Sequence, residues 1–206
     1  MKIDRAGWPF VLGPRGAALG LAIPLPWLAV LFGIVALFMV YFFRDPERTT
    51  PDQADAVVSP ADGRVLIAGE AEPASAPPGA WKQISIFLSP LDVHINRIPI
   101  GGRVTRVEYT PGRFLAAYRP ESARLNERND VWIERDSGTV MCRQVVGVLA
   151  RRLVCRVAPG AVVRTGERYG LMKFGSRIDL YLPPHVTLRV AVGDRVRGGE
   201  TVVATW

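Results

Sequence analysis

Three side chains of this 206-residue chain could supply a nucleophile, a base and an orienting carboxylate: Ser176 in "KFGSRID", His94 in "SPLDVHINRIP" and Asp62 in "PADG". A serine hydroxyl attacks well only when a base takes its proton, and a carboxylate can fix the tautomer and direction of that base. Two histidines are available, His94 and His185. His94 stands with Asp92, Asn96 and Arg97 in a polar break between strands, whereas His185 follows two prolines in "LPPHVTL", the setting of a solvated loop histidine. Each candidate also has a plainer reading. Asp62 suits a type I turn before glycine, His94 a satisfied core position, and Gly175-Ser176 a turn or bulge at a strand start.

The elements that must position these residues are strands. Alternating or β-branched runs at 64–70, 82–88, 103–109, 130–135, 140–149, 151–156, 176–182, 186–192 and 200–206 are separated by glycine- and proline-bearing turns. One helix is expected, over "RPESARLNER" at 119–128, and no repeat links the strands. In 176–182, Ile178, Leu180 and Leu182 share one face, expected to be core, while Arg177, Asp179 and Tyr181 share the other, expected to line a site. The segments "SPADGRV" (59–65) and "VAVGDRVRGGETVVA" (190–204) resemble the hairpins of biotinyl and lipoyl carriers. The expected fold is mainly β: a barrel-sandwich-hybrid-like domain with one short helix. "LMKF" at 171–174 offers a carrier-type lysine, yet Lys173 stands at the mouth of a strand rather than at an exposed hairpin tip.

No charged residue occurs from Gly16 to Phe43, and the run Trp27 to Phe43 is almost wholly apolar. An N-terminal hydrophobic membrane helix segment over 1–43 is therefore expected, then a linker over 44–54 and a β-rich catalytic domain over 55–206. Pro24 and Pro26 leave open a second form, a bent pair of shorter helices lying in one leaflet. The net charge of +7 comes mostly from arginines scattered through the strands, without the clustered aromatics or motifs of a nucleic-acid reader, so no nucleic acid is expected. Attraction to an anionic membrane surface is an alternative use of that charge. Cys142 and Cys155 lack metal-ligand spacing, so free thiols and no metal are expected, with a disulfide between neighbouring strands left open.

After the apolar segment, "FRDPER" (43–48), "SPADG" (59–63), "SPLDVHINRIP" (89–99), "GRFLAAYRPESARLNERN" (112–129) and "KFGSRIDLYLP" (173–183) follow in order. Together they resemble the short form of the pyruvoyl-dependent phosphatidylserine decarboxylases. The resemblance implies that the chain cuts itself between Gly175 and Ser176 and that Ser176 becomes a covalent pyruvoyl cofactor. It assigns His94 as base, Asp62 as orienting carboxylate, and Asn126, Arg128 and Asn129 as residues that hold the site or the substrate phosphate. The implied partners are phosphatidylserine in the cell membrane, approached from the cytoplasmic side, and the two cleaved chains as a heterodimer, with a homo-oligomer left open. Longer members carry a second histidine three residues after the first, where this chain has Arg97, so His94 is expected to serve both cleavage and decarboxylation. A membrane-tethered carrier modified at Lys173 and a membrane-anchored serine hydrolase using Ser176 are the alternatives.

Overall fold

The computed structural model describes residues 2–119, 121–148, 152–174 and 176–206, in two compact units, Met1–Glu47 and Arg48–Trp206. The first unit runs through β1 (Lys2–Ile3), α1 (Trp8–Leu21), α2 (Pro26–Phe42) and β2 (Arg44–Asp45), with β2 pairing back on β1. Pro26 can open α2 because its missing N–H would have no partner in a first turn. The apolar residues therefore form a helical hairpin instead of the expected membrane helix. The second arm has 17 residues, about 25 Å at 1.5 Å per residue, and no helix among the described residues is long and apolar enough to cross a membrane. Gly7 permits the closing contact of this unit, since a Cβ there would stand 2.4 Å from the Phe43 ring. Much of the hairpin's apolar surface stays uncovered, including Leu19, Ile23, Trp27, Val30, Ile34 and Leu37.

The second unit is mainly β, as alternation predicted. Its elements are β3 (Ala56–Val58), β4 (Gly63–Glu70), β5 (Lys82–Leu88), β6 (Ile95–Arg97), β7 (Gly102–Thr110), α3 (Ser122–Leu125), β8 (Arg128–Arg135) and β9 (Gly138–Val146). They continue as β10 (Leu153–Cys155), β11 (Val162–Val163), β12 (Arg168–Met172), β13 (Ser176–Leu182), β14 (Thr187–Leu188), β15 (Arg195–Val196) and β16 (Val202–Thr205). An eight-stranded antiparallel sheet has the order β11-β7-β8-β9-β13-β5-β4-β15, flanked by three-stranded sheets β10-β12-β6 and β14-β16-β3.

The helix expected over 119–128 shrinks to the single turn α3. Asn126 leaves it with an extended backbone, its side chain bonding the Leu115 backbone both ways, and Arg128 is already pairing in β8. Ile178, Leu180 and Leu182 on β13 are fully buried, as expected. Ile178 packs with Leu88, Val131 and Cys142, while Leu180 and Leu182 pack with Ile84, Ile86 and Val203, so one strand ties two core clusters together. Each such side chain contributes ~1.5–3 kcal/mol of burial.

The opposite face of β13 departs from expectation. Arg177, Asp179 and Tyr181 are buried, and the loop before β5 covers them: the Ser75 carbonyl accepts from the Tyr181 hydroxyl at 3.4 Å and from Arg143 Nη1 at 2.6 Å. Arg177 Nε donates to Asp179 Oδ1 at 2.5 Å and Arg177 Nη2 to Ser85 Oγ at 3.0 Å. This face is a buried polar layer, with Asp179 Oδ2 left without a hydrogen-bond partner, and does not line an open site. Cys142 and Cys155 are free; burial pushes the Cys142 thiol up to about 12, and its sulfur lies 3.1 Å from the Tyr169 hydroxyl.

Candidate active site

Register places residue 176 before any side chain is considered. Ser176 is the first residue of β13, pairing with Leu88 at the end of β5 on one side and with Val146 at the end of β9 on the other. The strand before it, β12, ends at Met172 and pairs with β6, Leu171 opposite Ile95. Two connections are thus bounded by partnered strands: the link from β12 to β13, and the loop from β5 to β6 that carries His94. Partnered strands force their connections to the same end of the structure. The Met172 N–H donates to the His94 carbonyl at 3.2 Å, which fixes His94 beside the link.

Within that loop Asp92 acts twice. Its carboxylate accepts from the Ser89 N–H at 2.8 Å, closing the turn, and its carbonyl oxygen lies 2.9 Å from His94 Nδ1. A carbonyl only accepts, so Nδ1 carries a proton, and in the neutral ring Nε2 is the nitrogen left with a lone pair. His94 is fully buried. The sequence signalled Asp92 only by its position two residues before His94, because its orienting atom belongs to the backbone.

Asp62 lies in the neighbouring turn. Among the described residues its hydrogen bonds run to Arg48 Nη2 at 2.7 Å and the Gly198 N–H at 2.7 Å, rather than to His94. The Arg97 N–H donates to the Pro60 carbonyl at 2.9 Å, so the "PADG" turn rests on the strand that follows His94. Gly63 completes the turn with a φ of 153°, and a Cβ there would stand 2.2 Å from the Phe87 carbonyl oxygen. Burial pushes the Asp62 carboxyl up, against the pull of Gly198 and Arg48, and the charge of Asp92 adds to the rise.

In the β12–β13 link, Phe174 has a φ of 67°, the one non-glycine residue in the left-handed region among those described. Such a conformation costs roughly 1–3 kcal/mol and persists only where the surroundings impose it. Gly175 lies outside the described residues. Lys173 is half-buried, and its N–H lies 3.4 Å from the Arg152 carbonyl, unlike the lysine of an exposed carrier hairpin.

The three "LNERN" candidates separate. Asn126 is fully buried and braces the neighbour of residue 176: its Nδ2 donates to the carbonyls of Val146 and Leu115, both at 2.8 Å. Asn129 donates to Gln144 Oε1 at 3.2 Å, and Gln144 donates on to Asn96 at 2.7 Å, a buried chain between sheets. Arg128 alone reaches an open cleft. Arg97 is buried and donates to the Gly166 carbonyl at 3.0 Å. His185 stacks edge-on against Trp206, with centroids 5.5 Å apart, on the exposed surface. No group of three or more His, Cys, Asp or Glu among the described residues could hold a metal ion.

A family model described as phosphatidylserine decarboxylase matches residues 35–204. The chain is 43% identical to the phosphatidylserine decarboxylase proenzyme of Nitrosomonas europaea over 204 residues, covering 98% of this chain and 94% of that protein. The proenzyme of Geotalea uraniireducens is 45% identical over 204 residues, with 98% and 95% covered. That of Prosthecochloris aestuarii is 46% identical over 185 residues, with 88% and 82% covered.

Proposed function

The chain belongs to the phosphatidylserine decarboxylase family and is a carboxy-lyase, and from that premise we propose that it converts phosphatidylserine to phosphatidylethanolamine and carbon dioxide through a pyruvoyl group made from its own Ser176. The observation that carries this reading is the convergence of the His94 loop and the strained Phe174 on the link that leads into residue 176.

The chemistry of self-processing follows from the residue types. The Ser176 hydroxyl adds to the Gly175 carbonyl carbon, its proton passing to His94 Nε2, and the C–N bond breaks as the amine takes up a proton, leaving an ester. Loss of the residue-176 α-proton then expels the Gly175 carboxylate and leaves dehydroalanine, which water converts to a ketone with release of ammonia. A pyruvoyl ketone supplies an electron sink for the pair left behind when carbon dioxide departs. The residues present fit such a group, because β5 and β9 clamp residue 176 at the strand mouth and the Asp92 carbonyl places a proton on His94 Nδ1. With Arg97 tied to Gly166, His94 is the group that takes the proton in maturation and returns one to carbon in turnover. Asp62 supports it through the turn that rests on β6. Residues 1–175 and 176–206 stay together as a heterodimer.

The pairing of β4 with β15 and of β3 with β16 supports the barrel-sandwich-hybrid reading. The uncovered apolar side chains of the α1–α2 hairpin support attachment in the plane of a bilayer, at the cytoplasmic face of the cell membrane.

Ser176→Ala and His94→Ala test the assignment. Both variants should remain single chains and release no carbon dioxide from carboxyl-labelled phosphatidylserine. An uncleaved Ser176→Ala protein with full activity would overturn the reading, and normal cleavage in His94→Ala would remove His94 from it.

A further inference from the structure

Arg48 closes the motif "FRDPER" and opens the second unit, and no step at Ser176 or His94 uses it. Its side chain is only 10% exposed, and its guanidinium bridges two carboxylates far apart in the chain: Nη2 donates to Asp62 Oδ2 at 2.7 Å and Nη1 to Glu200 Oε2 at 2.9 Å. A guanidinium so withdrawn from water and bonded at both ends is fixed in place. Its loss would leave the Asp62 carboxylate with no cation among its hydrogen-bond partners in the described residues. The residues after it are seated too. The Thr49 N–H donates to Glu200 Oε1 at 3.4 Å, and Gly166 makes room for Thr50, whose Oγ1 stands 2.0 Å from where a Cβ would lie.

Glu200 belongs to residues 176–206, the segment that carries Ser176, and the turn around it meets the Asp62 turn directly. The Gly198 N–H donates to Asp62 Oδ1 at 2.7 Å, the Gly199 N–H to the Ser59 carbonyl and the Ser59 N–H to the Thr201 carbonyl, the last two at 2.8 Å. Glycine allows this approach, since a Cβ at residue 199 would stand 2.6 Å from Arg97 Cδ. The Asp62 turn is thus bonded to residues 198–201 and, through the Pro60 carbonyl, to the Arg97 N–H of β6, the strand that His94 precedes. Arg48 is the link between the Asp62 carboxylate and that of Glu200.

We propose that Arg48 is a positioning residue for self-processing: by bridging Asp62 and Glu200 it keeps the Asp62 carboxylate paired and aimed, and it holds the "PADG" turn, with β6 and His94, against the segment that starts at Ser176. The inference rests on the reading of Ser176 as the residue that cuts the chain. Burial pushes the Asp62 carboxyl up, and the Gly198 N–H and Arg48 pull against it. The other charges about this turn come from Asp92, which adds to the rise, from Arg195, 3.8 Å from Asp92, and from Arg97, whose Nη1 donates to the Gly166 carbonyl. Loss of Arg48 therefore raises the pH at which Asp62 ionises.

The test follows the appearance of the 176–206 chain by gel densitometry, across pH, in newly refolded full-length protein held in neutral detergent. Arg48→Gln should slow cleavage about tenfold at neutral pH, as loss of a charged hydrogen bond implies, and move the acid limb of the rate up by about one pH unit. Arg48→Lys restores the charge without the fork, so its limb should return to the wild-type pH while its rate stays below wild type. A merely structural role would lower the rate evenly at every pH. That result, or a wild-type rate in Arg48→Gln, would overturn the proposal. Glu200→Gln keeps the test open should Arg48→Gln fail to fold, because the Glu200 side chain is 29% exposed. It leaves the guanidinium to Asp62 alone, so the limb should move the other way, to lower pH, and a limb that stays in place would again overturn the proposal. Wild-type protein that never cleaves would instead count against the reading of Ser176.

Discussion

The Asp92 carbonyl places a proton on His94 Nδ1, and the Asp62 carboxylate, expected to orient that ring, is held by Arg48 and Gly198. Asp62 nonetheless leaves a measurable trace in stability. Burial, the largest influence, raises its carboxyl above the ordinary 3.8, and the opposing pull of Gly198 and Arg48 does not cancel the rise. The folded state therefore holds this proton more tightly than the unfolded chain does. The stabilisation is fully present below pH 3.8 and is lost as pH climbs through the raised value. Asp62→Asn has no such titration. In melts of both proteins across pH, the Tm advantage of wild type over the variant should shrink as pH rises and level off once the carboxyl is ionised. An advantage that grows with pH would show that Arg48 dominates over burial.

At the scale of elements, the active segment is a link with a strained residue at its centre. Phe174 reaches a φ of 67° because β12 is fixed by β6 on one side and β13 by β5 and β9 on the other, leaving three residues to join two strands of different sheets. Phe174→Gly accepts that conformation without strain. If the strain assists the acyl shift, cleavage of newly refolded Phe174→Gly protein should slow about fivefold, the equivalent of ~1 kcal/mol, when followed by gel densitometry. An unchanged rate would show the strain to be incidental.

The strand Ser176–Leu182 was legible because its alternation is strict, whereas the pairing of Asp62 with Arg48 and Gly198 was not, since partners brought together across the fold leave no mark on local spacing. Phe174 gave no signal, since positive φ in a bulky residue is imposed by its neighbours. The short strands β6 and β12 were missed for a related reason: three and five residues carry too little periodicity, yet they place His94 beside the link. The polar face of β13 misled because alternation shows which residues share a face, not whether a loop covers it.

At the scale of the whole molecule, cleavage is compatible with a stable fold because the segment it frees is woven in. β13 lies between β5 and β9 in the eight-stranded sheet, β15 pairs with β4, and β16 with β3. The buried Ile178, Leu180 and Leu182 add ~1.5–3 kcal/mol each to that attachment. Residues 176–206 should therefore co-elute with residues 1–175 in native gel filtration and separate only in denaturant, and recovery of the short chain free under native conditions would contradict the weave.

The most direct measurement is the intact mass of the denatured wild-type protein. Self-processing at Ser176 predicts two chains, residues 1–175 and 176–206, the shorter one lighter by one ammonia than the product of simple hydrolysis. A single chain at the full mass of 206 residues in active protein, or a short chain that keeps a free serine amine, would contradict the account.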